Sequence, residues 1–300
     1  MKFSIFQESR KGGRKANQDR IGYAYTRDTL LAVVADGMGG HLLGEVAAQI
    51  TVQYLTEAFQ RDAKVKLEDP SDFLRKGITE AHFALADYAK ARGLAESPRT
   101  TCVACVVQDS IAHCAHVGDS RLYHVRKGQV QAQTRDHSRV QILVDRGRIR
   151  EEAVAVHPDR NKIFNCIGAA TPPEVELSKR MRLQQGDTLL LCTDGLWGPL
   201  TRKLITAALL RSDIMKAMPE LLDLAEARAG KDSDNLSVVA VAWEESSADA
   251  TTVPMPDLDG VTTQREDFSK AQDSELTDEE VEIAIAEIRA AIHKHLRPKP

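Results

Sequence analysis

Apolar positions along this chain of 300 residues follow two rhythms, one of strands and one of helices. Residues 30–35, LLAVVA, form an unbroken apolar run that meets Asp36 and then the glycine-rich stretch GMGGH at 37–41. A run so short, rich in Val and closed by Gly, predicts a buried strand with Asp36 at its exit. Gly37, Gly39 and Gly40 lack a Cβ, so the backbone there can take positive φ and come close to a small bound group. Before this run, two short strands are expected around the charged turn SRKGGRKANQDR at 9–20. After it, helical spacing governs residues 42–59 and 71–92, with Ser71 or Asp72 as the cap of the second helix. Strand-like runs return from about 101 to 133 (CVACVV, IAHCAHV, RLYHVRKGQVQAQ). Residues 138–170 are charged and weakly periodic and carry Arg146, Arg148, Arg150 and Arg160. TLLLCTDG at 188–195 reads as a second buried strand ending in Asp-Gly, two helical stretches fill 201–229, and NLSVVAVAW at 235–243 closes as a last strand. Blocks of strands and paired helices in this order predict an α+β fold with sheet and helices in layers.

The pattern changes after Trp243. Residues 245–277 hold eight acidic residues against Arg265 and Lys270, with many Ser, Thr and Pro and few large apolar side chains, so an acidic disordered linker is expected. Residues 278–296 differ. Thr277 and Glu280 fit a capping box, His293, Lys294, His295 and Arg297 crowd the end, and Val281, Ile285, Ile288, Ile292 and Leu296 form one stripe. An amphipathic helix of this kind wants a partner surface: the preceding domain, a second copy or another protein.

Composition narrows the class. A formal charge of −4 leaves no basic footprint for nucleic acid, and no apolar run approaches the length of a membrane span. MKFSIF is too short for a signal peptide, so a cytoplasmic protein is expected. Five scattered cysteines make no disulfide framework. Cys102 and Cys105 have CxxC spacing but lie on one expected strand, where positions three apart face opposite sides, so they read as buried structural residues. HCAH at 113–116 is judged in the same way.

Four carboxylates stand at the ends of apolar strands: Asp36, Asp119 in VGDSR, Asp194 after TLLLC, and Asp234 before the last strand. A single Asp-Gly is a turn signal. Four strand-end acids brought together would repel one another unless a cation lay between them, and oxygen ligands point to Mg2+ or Mn2+. The glycine loop does not fit a nucleotide: neither Gly40 nor Gly44 is followed by Lys, and Leu42 occupies the third glycine position of a dinucleotide fingerprint counted from Gly37 and Gly39.

GRKANQD (13–19), VVADGMGGH (33–41), VGDSRLY (117–123), TRDHS (134–138), LLCTDGLW (190–197) and SDNLSVV (233–239) together resemble the ordered motifs of the metal-dependent protein phosphatases, the type 2C serine/threonine phosphatases, and most closely their bacterial branch. The resemblance runs from about residue 4 to 243. It implies a four-layer α-β-β-α sandwich of two antiparallel sheets flanked by helices, a catalytic domain over 1–244, and a flap at about 138–170 whose arginines could read acids near the phosphorylated residue. Asp36 would bridge two ions with the Gly37 carbonyl as a further ligand. Asp194 and Asp234 would hold the first ion, and Asp119 with Asp194 a third. Arg14 would grip the phosphate, Asp19 would anchor water, and Asn235 would support the site. The implied reaction is hydrolysis of phosphoserine and phosphothreonine on proteins, opposing a kinase, by a metal-bridged hydroxide that attacks phosphorus directly. Met38 stands where animal members carry the histidine that protonates the leaving group, and Gln18 where many members have a Glu beside the second metal; His41 is read as supporting the loop. The alternative is a phosphatase-like binding module that kept the fold and lost turnover.

Overall fold

The computed structural model describes residues 1–39, 42–244 and 262–265, together with Ala286, Arg289, Ala290, Ile292, Lys294 and His295. The chain opens with β1 (Lys2–Arg10), β2 (Asp19–Tyr25) and β3 (Thr29–Met38), then α1 (Leu42–Asp62) and α2 (Pro70–Ala91). Next come β4 (Arg99–Thr100), β5 (Cys102–Gln108), β6 (Ile111–Val117), β7 (Arg121–Arg126) and β8 (Gln129–Gln133). The 138–170 insert holds α3 (Arg139–Asp145) and a 3-10 turn at Glu151–Val156. After β9 (Glu176–Leu177), β10 (Met181–Arg182) and β11 (Thr188–Cys192) follow α4 (Asp194–Trp197), α5 (Arg202–Arg211), α6 (Ile214–Ala229), β12 (Leu236–Glu244) and β13 (Thr262–Arg265).

The strands form two antiparallel sheets. One runs β1-β12-β11-β7-β8; the other runs β10-β6-β5-β3-β2-β13, with β9 on β6 and β4 on the end of β3. Side chains alternate across a strand, so an all-apolar strand needs a core on each face. β3 has both: Leu31, Val33 and Ala35 join a cluster with α1 and α2, whereas Leu30, Ala32 and Val34 face the other sheet. β12 does the same, with Val239, Val241 and Trp243 between the sheets and Leu236, Val238 and Ala240 against α4 and α6. Three stacked cores therefore separate four layers, the expected α-β-β-α sandwich. On β5, Cys102 lies in the helix-facing core and Cys105 between the sheets, as their spacing requires.

Four details depart from the sequence reading. β3 continues to Met38, so Asp36 lies two residues inside the strand, extended by pairing of Gly37 and Met38 with β4. Asp69 caps α2 in place of Ser71 or Asp72: its carboxylate accepts from both of their amides, and Pro70 takes the first helical position, where no amide is needed. β12 is not the last strand. Within the stretch expected to be disordered, Thr262–Arg265 form β13 and pair with Gly22–Tyr25 of β2, and the Gln60 amide donates to the Thr263 hydroxyl; the remainder of 245–277 lies outside the described residues.

Of the C-terminal stripe, Ile292 is described, is helical, and is fully buried in the core shared by α1 and α2. Lys294 Nζ contacts Asp87 at 2.6 Å, and His295 contacts Asp87 at 2.8 Å and Glu80 at 3.2 Å, all on α2. The capping box and the other stripe residues lie outside the described residues. No helix among the described residues is long and apolar enough to cross a membrane.

Candidate metal centre

Sheet register sets the first pair of acids. β2 and β3 place Asp19 directly opposite Asp36. Asp194 and Asp234 come from the other sheet, the first opening α4 just after β11 and the second just before β12. Asp119 sits in the turn from β6 to β7, where the chain crosses between sheets. All five therefore meet at one end of the inter-sheet core.

Hydroxyls lock this end together. Thr193 donates to Asp19 Oδ2 at 2.9 Å and accepts from the Ser237 amide at 3.0 Å, joining the two sheets. Thr101 accepts from the Asp36 amide and shares a 2.7 Å hydroxyl contact with Ser120, beside Asp119. Asn235 reaches the other way. Its amide donates to the carbonyls of Lys11 and Ala16 and its oxygen accepts from the Gln18 amide, which fixes the loop carrying Arg14 against Asp234. Space is tight beside Asp36: a Cβ on Gly37 would collide with the Gly44 carbonyl and come within 2.6 Å of that of Gln18. Positive φ occurs at Gly39 (123°), while Gly37 stays in the strand; Gly40 and His41 lie outside the described residues.

Burial and mutual repulsion dominate the electrostatics. Burial pushes the Asp36 and Asp119 carboxyls well above the usual range, and neighbouring carboxylates add to it: Asp19, Asp194, Asp119 and Asp234 around Asp36, and Asp194 and Asp136 around Asp119. Asp19 and Asp194 are each pushed up to about 7, first by burial. Asp19 Oδ1 is buried without a hydrogen-bond partner. Three cations oppose this charge, Arg121 beside Asp119 being the first. Arg14 contacts Asp234 Oδ2 at 2.6 Å with half its side chain exposed, and the charges of Arg14 and Arg160, the latter from the flap, pull Asp194 downward. A cluster of buried and half-buried, oxygen-only acids with an orphaned carboxylate oxygen fits hard divalent ions.

The structure thus brings Asp36, Gly37, Asp119, Asp194, Asp234, Asp19, Asn235 and Arg14 to one place. Met38 is half-buried and pairs with Arg99, and Gln18 donates to the Gly39 carbonyl at 3.1 Å. Sequence reading missed the hydroxyls of Thr101, Ser120 and Thr193; only Ser120 and Thr193 carried a signal, adjacency to Asp119 and Asp194. It also missed a second group. Ring nitrogens of His116 and His137 and a Glu176 carboxylate oxygen lie within 4.8 Å of one another.

Comparison with known proteins places the family and the fold. The family model described as protein phosphatase 2C matches residues 7–229. A serine/threonine phosphatase of Listeria welshimeri is 32% identical over 243 residues, covering 79% of this chain and 94% of its own. The serine/threonine phosphatase Stp1 of Staphylococcus aureus superposes with a TM-score of 0.74 at 31% identity, over 82% of this chain and 96% of that one. The catalytic domain of the phosphatase PstP, in complex with two manganese ions, superposes with a TM-score of 0.68 at 30% identity, over 81% and 99%. With the family model matching most of its length, and with relatives and folds alike over about four-fifths of the chain, the chain belongs to the protein phosphatase 2C family.

Proposed function

We propose that the chain hydrolyses phosphoserine and phosphothreonine esters on proteins with Mn2+ or Mg2+, two ions being held by Asp36, the Gly37 carbonyl, Asp194 and Asp234. A third ion is assigned to Asp119 with Asp194. The observation that carries this reading is the convergence of carboxylates from both sheets, among which Asp36, Asp119 and Asp194 are disfavoured as anions without a cation beside them. Bound divalent ions there acidify water and neutralise charge on phosphoryl oxygens. The chain's own residues do the rest. Asp19, held by Thr193, offers Oδ1 as an acceptor for water. Arg14 stands at the rim, where its planar fork can grip two phosphate oxygens. The reading as an inactive binding module has no support: Asp36, Asp194 and Asp234 are all present, and the named relatives are phosphatases.

An assay with a phosphothreonine peptide and Mn2+ tests this. Arg14→Ala should lower kcat/KM by roughly 10^2-fold, with Arg14→Lys recovering only part, since an ammonium lacks the fork. Metal-independent release, or full activity in Arg14→Ala, would overturn the assignment.

The substrates are then the targets of a serine/threonine kinase. The cytoplasm is proposed as the site of action, in keeping with five unpaired cysteines. The C-terminal helix is proposed to dock on the chain's own α2, supported by buried Ile292 and the pairs of Lys294 and His295 with Asp87 and Glu80. Truncation after Glu244 should lower the thermal midpoint by several degrees, about 2–4 °C per kcal/mol of lost packing. An unchanged midpoint would refute the docking.

A further inference from the structure

His137 lies outside the acid cluster yet is bonded to the turn that carries one of its acids. Its backbone amide donates to the Gly118 carbonyl at 2.9 Å, and its Nδ1 accepts from the Gly118 amide at 3.2 Å, so one residue uses both backbone groups of the glycine that precedes Asp119. Gly118 lies at φ 102°, a conformation that side chains resist, and the two bonds to His137 hold its amide and carbonyl. The same Nδ1 accepts from Asn165 Nδ2 at 2.8 Å, and the His137 carbonyl accepts from the Phe164 amide at 3.0 Å. At the flap of 138–170, residues 137 and 164–165 are the two roots of the loop that carries Arg160. Arg139 and Lys162 bond across these roots, and Ser138 and Ile163 bridge them. The His137 ring also stacks on His116 at 4.6 Å, whose Nε2 donates to the Arg135 carbonyl just before the entry root.

A cation held by His116, His137 and Glu176 is the competing reading of this cluster, and the hydrogen bonds speak against it. Asn165 is oriented by Glu174, whose amide donates to Oδ1 and whose carbonyl accepts from Nδ2. Two N–H donors therefore face His137 Nδ1, which puts the ring proton on Nε2, pointing at Glu176 3.2 Å away. The nitrogen a metal would need already carries a proton.

We infer that His137 is a positioning residue whose Nδ1 pins both roots of that loop to the Gly118–Asp119 turn, and so sets where Arg160 stands relative to Asp194. The inference rests on the phosphatase reading above. It gives the flap a fixed hinge on the side of the acid cluster that the Arg14 loop does not reach.

The test uses the full chain, Mn2+ and a phosphothreonine peptide. Asn in place of His keeps an acceptor near Nδ1, Gln keeps a polar group near Nε2, and Ala keeps neither. His137→Ala and His137→Gln should raise KM by about tenfold with the loss falling on KM rather than kcat, while His137→Asn stays within about threefold of wild type. In a double-mutant cycle, Arg160→Ala should raise KM in the parent and add little in His137→Ala. Trypsin should cleave the flap faster in the Ala and Gln variants but not in the Asn variant. Rescue by Gln instead of Asn, additive effects of Arg160→Ala and His137→Ala, or Zn2+ binding that His137→Ala abolishes would each overturn the inference. Absence of Mn2+-dependent turnover in the wild-type chain would instead overturn the phosphatase reading, which makes the two failures distinguishable.

Discussion

Asp36→Asn should abolish Mn2+-dependent phosphatase turnover, by roughly 10^3-fold or more, and at the same time make the metal-free protein more stable. Both effects have one cause. Asp36 is half-buried among Asp19, Asp119, Asp194 and Asp234, so its charge is disfavoured by desolvation and by four neighbours of like sign. That same concentration of anionic oxygen is what attracts divalent ions. An amide of the same shape keeps the strand and the hydrogen bonds of the Asp36 backbone to Thr100 and Thr101, but it carries no charge. In EDTA at pH 8 the variant should gain about 0.5–2 kcal/mol. The gain should shrink as pH falls and the native carboxyl takes up its proton. Urea titrations with and without Mn2+ measure it. A variant that keeps its activity, or that loses stability in EDTA, would remove Asp36 from the centre of this account.

The layers were legible because their strands are apolar on both faces: LLAVVA and TLLLC have no alternative in a chain without membrane-length runs. The acids were legible for the same reason, since a carboxylate next to such a strand breaks the pattern. What stayed hidden follows from local chemistry. β13, TTQR, carries no apolar signal and exists because the β2 edge offers it a ladder. The cap of α2 was missed by two or three residues, because the presence of Pro70 moves the helix start to Asp69. HCAH was judged along its own strand, which correctly separates His113, bonded to Ser71, from His116. The partners of His116, namely His137 and Glu176, lie too far along the chain for any local pattern to show. Arg14 could be assigned only by resemblance; its contact with Asp234 depends on Asn235 holding the 11–18 loop.

In EDTA the protein should lose stability as pH rises from 6.5 to 8, and Mn2+ should reverse that slope. The sign follows from Asp19 and Asp194, both pushed up to about 7 in the fold, where an unfolded chain ionises near 4. A carboxyl with a raised folded pKa stabilises the native state while it stays protonated, and that contribution is lost as pH climbs through the folded value. Asp36 and Asp119, shifted in the same direction, extend the loss. The window separates this from other titrations. Buried His82, His113 and His116 are shifted down and act below about 6.5, as do the carboxylates lowered by ion pairs, such as Asp87 and Asp145. The buried thiols of Cys102, Cys105 and Cys192 are pushed up, out of range. One or two retained protons correspond to a fall of about 1–3 kcal/mol across the window. With millimolar Mn2+ the ions compete with those same protons, so stability should rise with pH instead. Thermal or urea midpoints at four pH values, with EDTA and with Mn2+, decide it. A flat or rising EDTA series would mean that the carboxylates do not crowd one another as described, and an unaltered series in Mn2+ would mean that they hold no ion.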